Sequence, residues 1–258
     1  MGGALLAGWL DRGVKPESIH VVEPAATLTA EVKRRNVAVM ASADALPPGL
    51  APDVVVFAVK PQGLDEIAPQ YRRFAENGAA VLSIAAGKTI ASFARHLGAR
   101  AAIVRSMPNT PAAVRRGITV ACANAHVTVA QRAVCQELLE AVGEVAWVDD
   151  EGLLDPVTAV SGSGPAYVFL LIECLAAAGV EAGLSKDLAD RLARATVIGS
   201  GELARVSKES AAQLRQNVTS PGGTTAAALE VLMGKDGLAQ LMQRAVAAAT
   251  RRSRELAG

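Results

Sequence analysis

The chain has 258 residues, enough for one large hydrophobic core or two moderate ones. Its 26 Lys and Arg against 25 Asp and Glu leave a net charge of +1, and no basic run is long enough to form a nucleic-acid footprint or a polybasic membrane patch. Apolar residues make up 51% and aromatics only 3%, so Ala, Val and Leu must build an interior of closely packed helices rather than an aromatic-rich sandwich. Cys122, Cys135 and Cys174 are odd in number and widely spaced, with no C-x-x-C pair and no ligand spacing to His20, His96 or His126. They read as free, mostly buried thiols of a reducing cytoplasm, and no metal site is expected. The start has no charged region before its apolar run, so it does not read as a secretory signal. The most apolar stretch, PAYVFLLIECLAAAGVEAGL, is interrupted by Glu173 and Glu181 and reads as a buried or interface helix rather than a membrane span.

In chain order, MGGALLAGWLDRG reads as an opening helix with Leu5, Leu6, Trp9 and Leu10 on one stripe. IHVVE (19–23) is a strand, AATLTAEVKRRN a helix ending near Asn36, and VAVM (37–40) a short strand. DVVVFAVKP (53–61) is a near-continuous apolar strand whose Pro61 suits the first turn of the next helix. AAVLSIAAG (79–87), AAIVRSMPN (101–109), GITVACA (117–123) and EVAWV (144–148) continue the series. Apolar strands alternating with helices imply a mostly parallel sheet covered on both faces. After Asp149-Asp150-Glu151 no strand is expected. Helical periodicity runs through 151–160, 165–183, 186–206, 224–233 and 237–256, with Ser185 as a helix cap and a break at Gly234-Lys235-Asp236-Gly237. The predicted architecture is α/β, a Rossmann-type sheet over 1–149 followed by an all-helical domain over 150–258.

Three strands end in polar or small residues: Lys60-Pro61-Gln62, Ala85-Ala86-Gly87 and Met107-Pro108-Asn109. Ligands of open α/β sheets bind outside the carboxyl ends of strands, so these ends are candidates for holding a cofactor, against the plainer reading of Pro and Gly as punctuation. In MPNTPA two prolines restrain a single Asn and Thr, which suits Asn109 to orienting a carboxamide or a small polar substrate. In the helical half, SGSGPAY (161–167) allows close backbone approach. VTSPGGTT places a sharp Pro221-Gly222-Gly223 turn before a helix that Thr224 or Thr225 would cap. Bare N–H groups at such a helix start form a carboxylate site, and Thr225 adds a hydroxyl; a plain helix–helix corner is the competing reading. The sequence offers no Ser/His/Asp set and no paired carboxylates flanked by polar loops. It suits a reaction whose hard step belongs to a cofactor, such as hydride transfer.

Taken in order, M-G-G-A-L, A-V-K-P-Q, S-I-A-A-G, M-P-N-T-P-A, S-G-S-G-P-A-Y and V-T-S-P-G-G-T-T resemble the pyrroline-5-carboxylate reductase family over essentially the whole chain. The resemblance implies an N-terminal Rossmann domain and a C-terminal helical domain that forms an intertwined homodimer, often assembled into decamers in the cytoplasm. It implies reduction of (S)-1-pyrroline-5-carboxylate to L-proline by NADPH or NADH, the last step of proline synthesis. By the same resemblance Thr225 would hydrogen-bond the ring nitrogen, and Ser220, Gly222, Gly223 and Thr224 would hold the carboxylate. Lys60, Ala85, Ala86, Met107, Pro108 and Asn109 would line the nicotinamide and its ribose, and the 165–183 helix would form the dimer interface.

The beginning departs from that pattern. Family members start with a strand and a loop like G-x-G-N-M-G-G, whereas here Gly2 matches only the third glycine, the one that lets helix and strand pack closely. Loss of the central strand would leave two strand edges unpaired with a trough between them, and would strip the Leu5, Leu6, Trp9 and Leu10 stripe of part of its packing. One expectation is that Met1 is an internal methionine and that the natural protein carries about 10–15 further residues, a strand and a glycine turn. Two others stay open: a cofactor-deficient paralogue acting as a dimerisation partner, and another two-domain NAD(P)-dependent dehydrogenase. Glu23, closing IHVVE, is placed to accept from a ribose hydroxyl and repel a 2′-phosphate, which leans towards NADH. Lys33, Arg34 and Arg35 are nearby cations that would serve a phosphate instead or form a solvated face.

Overall fold

The computed structural model describes residues 1–257, the side chains of 26, 28 and 257 excepted. The chain forms two compact units, Met1–Gly162 together with the final turns from Thr250, and Ser163–Ala249. The division after Gly162 differs from the 149/150 boundary read from sequence. Residues just past 150 remain with the sheet, where Leu154 is fully buried against Val120 and Cys122.

In the first unit, helix α1 (Gly2–Asp11) precedes strand β1 (His20–Val22), α2 (Ala26–Arg34), β2 (Ala38–Met40) and β3 (Val54–Phe57). Two short helices, α3 (Leu64–Ile67) and α4 (Arg72–Glu76), lead into β4 (Ala80–Ser83), α5 (Ile90–Leu97), β5 (Ile103–Met107), β6 (Gly117–Ala123), α6 (Val129–Glu140), β7 (Gly143–Trp147) and α7 (Leu154–Val157). β3 to β7 form one sheet in sequence order, parallel except where β6 runs against β5. Both faces are covered. Leu5, Leu82, Val104 and Leu139 pack on the side of α1 and α6, while Phe57, Val81, Phe93 and Ile103 pack on the side of α3 and α5. Alternate residues of β4 enter opposite cores, which is why the continuous apolar run AVLS is buried at every position.

β1 and β2 pair in parallel as a separate two-stranded sheet, and no ladder joins β1 to β3. On β3, the Asp53 and Phe57 carbonyls accept from Ala80 and Ile84 at 2.9 and 3.1 Å. By parallel alternation Val54 and Val56 turn their backbone groups to the other, open edge. On β1 the Glu23 N–H donates to Met40 at 2.9 Å, so His20 and Val22 face away from β2 in the same way. Val54 to Val56 are accordingly only half-buried. These are the two unpaired edges that the sequence leads one to expect.

The opening helix, by contrast, keeps its packing better than expected. Leu5 is 0% exposed and Leu6 buried, with Trp9 half-buried against the α6 core and its indole N–H donating to the Leu138 carbonyl at 2.8 Å. Burying each of the two leucines is worth about 1.5–3 kcal/mol. The approach is close enough that a Cβ on Gly8 would lie 2.7 Å from the Ala141 carbonyl oxygen.

The second unit is helical: α8 (Gly164–Glu181), α9 (Lys186–Val206), α10 (Ala211–Asn217), α11 (Thr224–Leu232) and α12 (Leu238–Ala257), whose last turns return to the first unit. α8 and α9 form a hairpin in which Gly179 admits Ala189. Helix α10 was not expected. Ser210 caps it by accepting from the Gln213 N–H at 3.2 Å, the Ser-x-x-Gln pattern of a helix start. Among the described residues, the buried apolar side chains of this unit are all alanines, Ala176, Ala189 and Ala193. Meanwhile Val168, Phe169, Leu170 and Leu171 on α8 are 44, 59, 57 and 50% exposed. The run Glu151–Glu181 is, among the described residues, the one helical stretch long and apolar enough by length and composition to cross a membrane.

Candidate functional sites

Because β3, β4 and β5 are parallel neighbours, their carboxyl ends lie side by side. The ladder therefore gathers Lys60, Ala85, Ala86, Gly87, Met107, Pro108 and Asn109 along one edge. Gly2 joins them at the end of β3: a Cβ there would stand 2.9 Å from that of Ala58, so only glycine lets α1 approach this closely. The first turn of α1 carries no acidic side chain, and the space beside Gly3 is open.

The loop after β4 is held from beneath. The buried Ser83 hydroxyl accepts from the Ala85 N–H at 3.1 Å, and the Ser83 carbonyl accepts from the Ser106 hydroxyl at 2.9 Å. Ala85 is buried, Ala86 is exposed, and Gly87 turns the chain at φ +71°. A Cβ on Gly87 would lie 3.2 Å from the Leu256 carbonyl oxygen, so a side chain there would be tight as well as strained. In the loop after β5, Pro108 is buried while Met107 and Asn109 are half-buried. The Asn109 side-chain oxygen accepts from the Ile118 N–H at 3.0 Å, bracing the loop to the start of β6. Its amide NH2 is the group this leaves for a ligand. Lys60 is exposed and caps the turn beginning at Pro61.

Glu23 follows β1, outside the five-stranded sheet. Its carboxylate accepts from the Ala25 N–H at 2.9 Å, which shapes the turn into α2. Arg35 pairs with Asp11 at 3.5 Å.

Sequence reasoning missed Arg105 and Glu151. Arg105 is buried in the middle of β5, and its guanidinium donates to Glu151 at 2.8 Å. The only signal was a charged residue inside a mainly apolar strand, IVRSM. Burial pushes the neighbouring Cys122 thiol above its ordinary range, and the Glu151 carboxylate adds to this. Burial alone raises Cys135 to about 11, so both thiols stay neutral, while Cys174 is exposed. No group of three or more His, Cys, Asp or Glu comes together among the described residues.

The helical unit carries a candidate site of its own. Gly222 takes φ +69°, a conformation glycine adopts without penalty, and the turn delivers Gly223 as the cap of α11. This corrects the expectation that Thr224 or Thr225 caps the helix. Gly223 holds the extended cap geometry at φ −82° and ψ 172°, and both threonines lie inside the first turn. With no side chain at the cap, the backbone N–H groups of Thr224, Thr225 and Ala226 have no acceptor among the described residues. The first turn carries no acidic side chain. Ser220 is exposed, and its carbonyl accepts from the Gly223 N–H at 3.0 Å, closing the turn. A row of bare donors at the positive end of a helix dipole, with the half-buried Thr225 beside it, suits a carboxylate next to a polar atom. Upstream, a π-helical turn over Thr158–Gly162 replaces the regular helix expected to end at 160. Met107 lies over Gly162, within 2.5 Å of where a Cβ would stand.

Two family models match the chain, one in each half. Residues 151–256 match the family model for pyrroline-5-carboxylate reductase dimerisation, and residues 1–87 match that for NADP oxidoreductase, coenzyme F420-dependent. The pyrroline-5-carboxylate reductase of Pseudomonas aeruginosa is 40% identical across all of this chain and 93% of its own length. That of Synechocystis is 42% identical, covering 99% of this chain and 94% of its own. Among solved structures, the enzyme from Coxiella burnetii superposes with a TM-score of 0.93 at 36% identity, covering 99% of this chain and 94% of that one. Pyrroline carboxylate reductase of Plasmodium falciparum with NADP bound gives 0.83 at 31%, covering 100% and 95%. The chain belongs to the pyrroline-5-carboxylate reductase family.

Proposed function

We propose that this protein reduces (S)-1-pyrroline-5-carboxylate to L-proline with NADPH or NADH, as a cytoplasmic homodimer able to assemble further into decamers. The observation that carries the reading is the start of α11: three unshared N–H groups behind a Gly222-Gly223 turn, with no acidic side chain in the first turn. They hold the substrate carboxylate, with Ser220 alongside. Thr225 holds the ring nitrogen through its hydroxyl and orients the C=N bond, and the proton that nitrogen gains comes from solvent through the same hydroxyl.

The residues of the first unit fit a dinucleotide. Gly2 and Gly3 begin α1 with free space beside Gly3 and no acidic side chain in the first turn, which suits a pyrophosphate. Lys60, Ala85, Ala86, Met107 and Pro108 line the nicotinamide and ribose, and the Asn109 amide NH2 orients a carbonyl of cofactor or substrate. When bound, the reduced nicotinamide supplies hydride to the imine carbon. Glu23 serves a ribose hydroxyl. The helical unit is the second copy's docking surface: a layer whose buried side chains are alanines, with Phe169 and Leu170 more than half exposed, needs a partner to bury them. A membrane is a poorer partner, since Glu173 and Glu181 interrupt the apolar run. The test is proline formation from pyrroline-5-carboxylate with each nicotinamide, assayed against small 2-oxo and 2-hydroxy acids. Turnover of the acids alone would refute the proposal.

A further inference from the structure

The Arg105–Glu151 pair has no part in the chemistry above, yet it joins the segments that carry two of the cofactor loops. Arg105 lies two residues before Met107, with its side chain 7% exposed. Its guanidinium nitrogen Nη1 donates to Oε1 of Glu151 at 2.8 Å, and the same oxygen accepts from the Ile90 N–H at 2.8 Å. Ile90 opens α5 three residues after Gly87, behind Thr89, whose hydroxyl caps that helix. One carboxylate oxygen thus ties the segment after the Ala85–Gly87 loop to the strand that ends in the Met107–Asn109 loop, although β4 and β5 already run side by side.

A strand flanked by buried Val104 and Ser106 has no need of a charge for its packing. Pairs with a buried charge are often matched or surpassed in stability by apolar residues of similar volume, and in some proteins they specify geometry instead; here the Arg105 side chain is buried and that of Glu151 is 27% exposed. A charge-assisted hydrogen bond from a guanidinium to a carboxylate is strong and directional, which an apolar contact is not.

We infer that Arg105 and Glu151 are positioning residues that set the separation of the Ala85–Gly87 and Met107–Asn109 loops, and through it the fit of the nicotinamide. The inference rests on the proposed function of those loops. Neither residue touches cofactor or substrate.

The experiment uses the full-length protein and compares Arg105→Met, Glu151→Ala and Glu151→Gln with the unchanged chain. Affinity is measured for NADPH and NADH, and separately for ADP-ribose, which lacks the nicotinamide. Arg105→Met and Glu151→Ala are expected to weaken dinucleotide binding by about tenfold and to leave ADP-ribose affinity and the KM for pyrroline-5-carboxylate within about twofold. Glu151→Gln keeps the oxygen that accepts from Ile90 and is expected to recover most of the loss. Amide exchange without nucleotide supplies a readout independent of activity: Ile90 is expected to lose protection in Glu151→Ala and keep it in Glu151→Gln.

Unchanged dinucleotide affinity in Arg105→Met and Glu151→Ala would overturn the inference. So would equal losses for ADP-ribose and dinucleotide, or losses that follow thermal stability. Should Arg105→Met not fold, the pair has a structural role and the inference falls unless the two Glu151 variants, folded, show the split and the rescue. If the unchanged protein bound neither dinucleotide, the functional reading would fall along with the inference; failure of the variants alone removes only the inference.

Discussion

Replacing Gly222 with alanine isolates the conformational requirement of the substrate turn. At φ +69° an L-residue is disfavoured by about 1–2 kcal/mol, whereas a Cβ at this position meets no atom within 4 Å, so no clash adds to the cost. If that strain displaces the turn from the geometry that aligns the Thr224–Ala226 N–H groups, the bound state loses the same amount. Since 1.4 kcal/mol is a factor of ten, the KM for pyrroline-5-carboxylate is expected to rise about 5- to 30-fold. Asparagine tolerates the left-handed region far better, so Gly222→Asn should show a clearly smaller rise. The assay is steady-state reduction at saturating nicotinamide, with nucleotide affinity measured in parallel and expected to stay unchanged. Equal KM values in Gly222→Ala and the unchanged protein, or an equal effect of Ala and Asn, would refute the reasoning.

Other perturbations probe different links. Gly8→Ala would drive a methyl into the Ala141 carbonyl, 2.7 Å away, and is expected to cost about 1–3 kcal/mol, seen as a lower urea midpoint; an unchanged midpoint would mean that α1 is not seated on α6. Phe169→Glu places a carboxylate on the exposed apolar face of α8 and should dissociate the dimer, because an unpaired charge in an interface costs several kcal/mol. Sedimentation shows this directly, and a fully active dimer would contradict it. Thr225→Val removes one neutral hydrogen bond, worth about 0.5–1.5 kcal/mol, and should lower kcat/KM by about 2- to 12-fold without changing dinucleotide affinity.

The parts of the fold legible in sequence were those where one physical signal dominated. VVVF and GITVACA carry β-branched runs with no competing helical period, and both are strands. Pro61 opens a turn, as its fixed φ and missing N–H require. Helix α10 escaped because its seven residues are too short to show a clear apolar stripe, although Ser210 and Gln213 marked its start. At α11 threonine propensity for the cap misled: the neighbouring glycine takes the position, leaving the N–H groups bare. The partnership of Arg105 with Glu151 spans 46 residues and Trp9 with Leu138 spans 129, separations at which neither charge pattern nor periodicity names a partner. Of the two loops with most chemical content, MPNTPA was legible as restrained by its prolines and SPGGTT as a sharp turn before a helix. What sequence did not disclose was that Asn109 commits its oxygen to Ile118.

The central claim is that a glycine-delivered helix start grips the carboxylate of a cyclic imine. It is tested most directly by comparing pyrroline-5-carboxylate with 1-pyrroline, the same ring without the carboxylate, at saturating nicotinamide. Hydrogen bonds to a charged group are worth about 1.5–3 kcal/mol, so kcat/KM for 1-pyrroline should fall by about 10- to 150-fold, and Gly222→Ala should narrow that gap. Equal kcat/KM for the two rings would contradict the account.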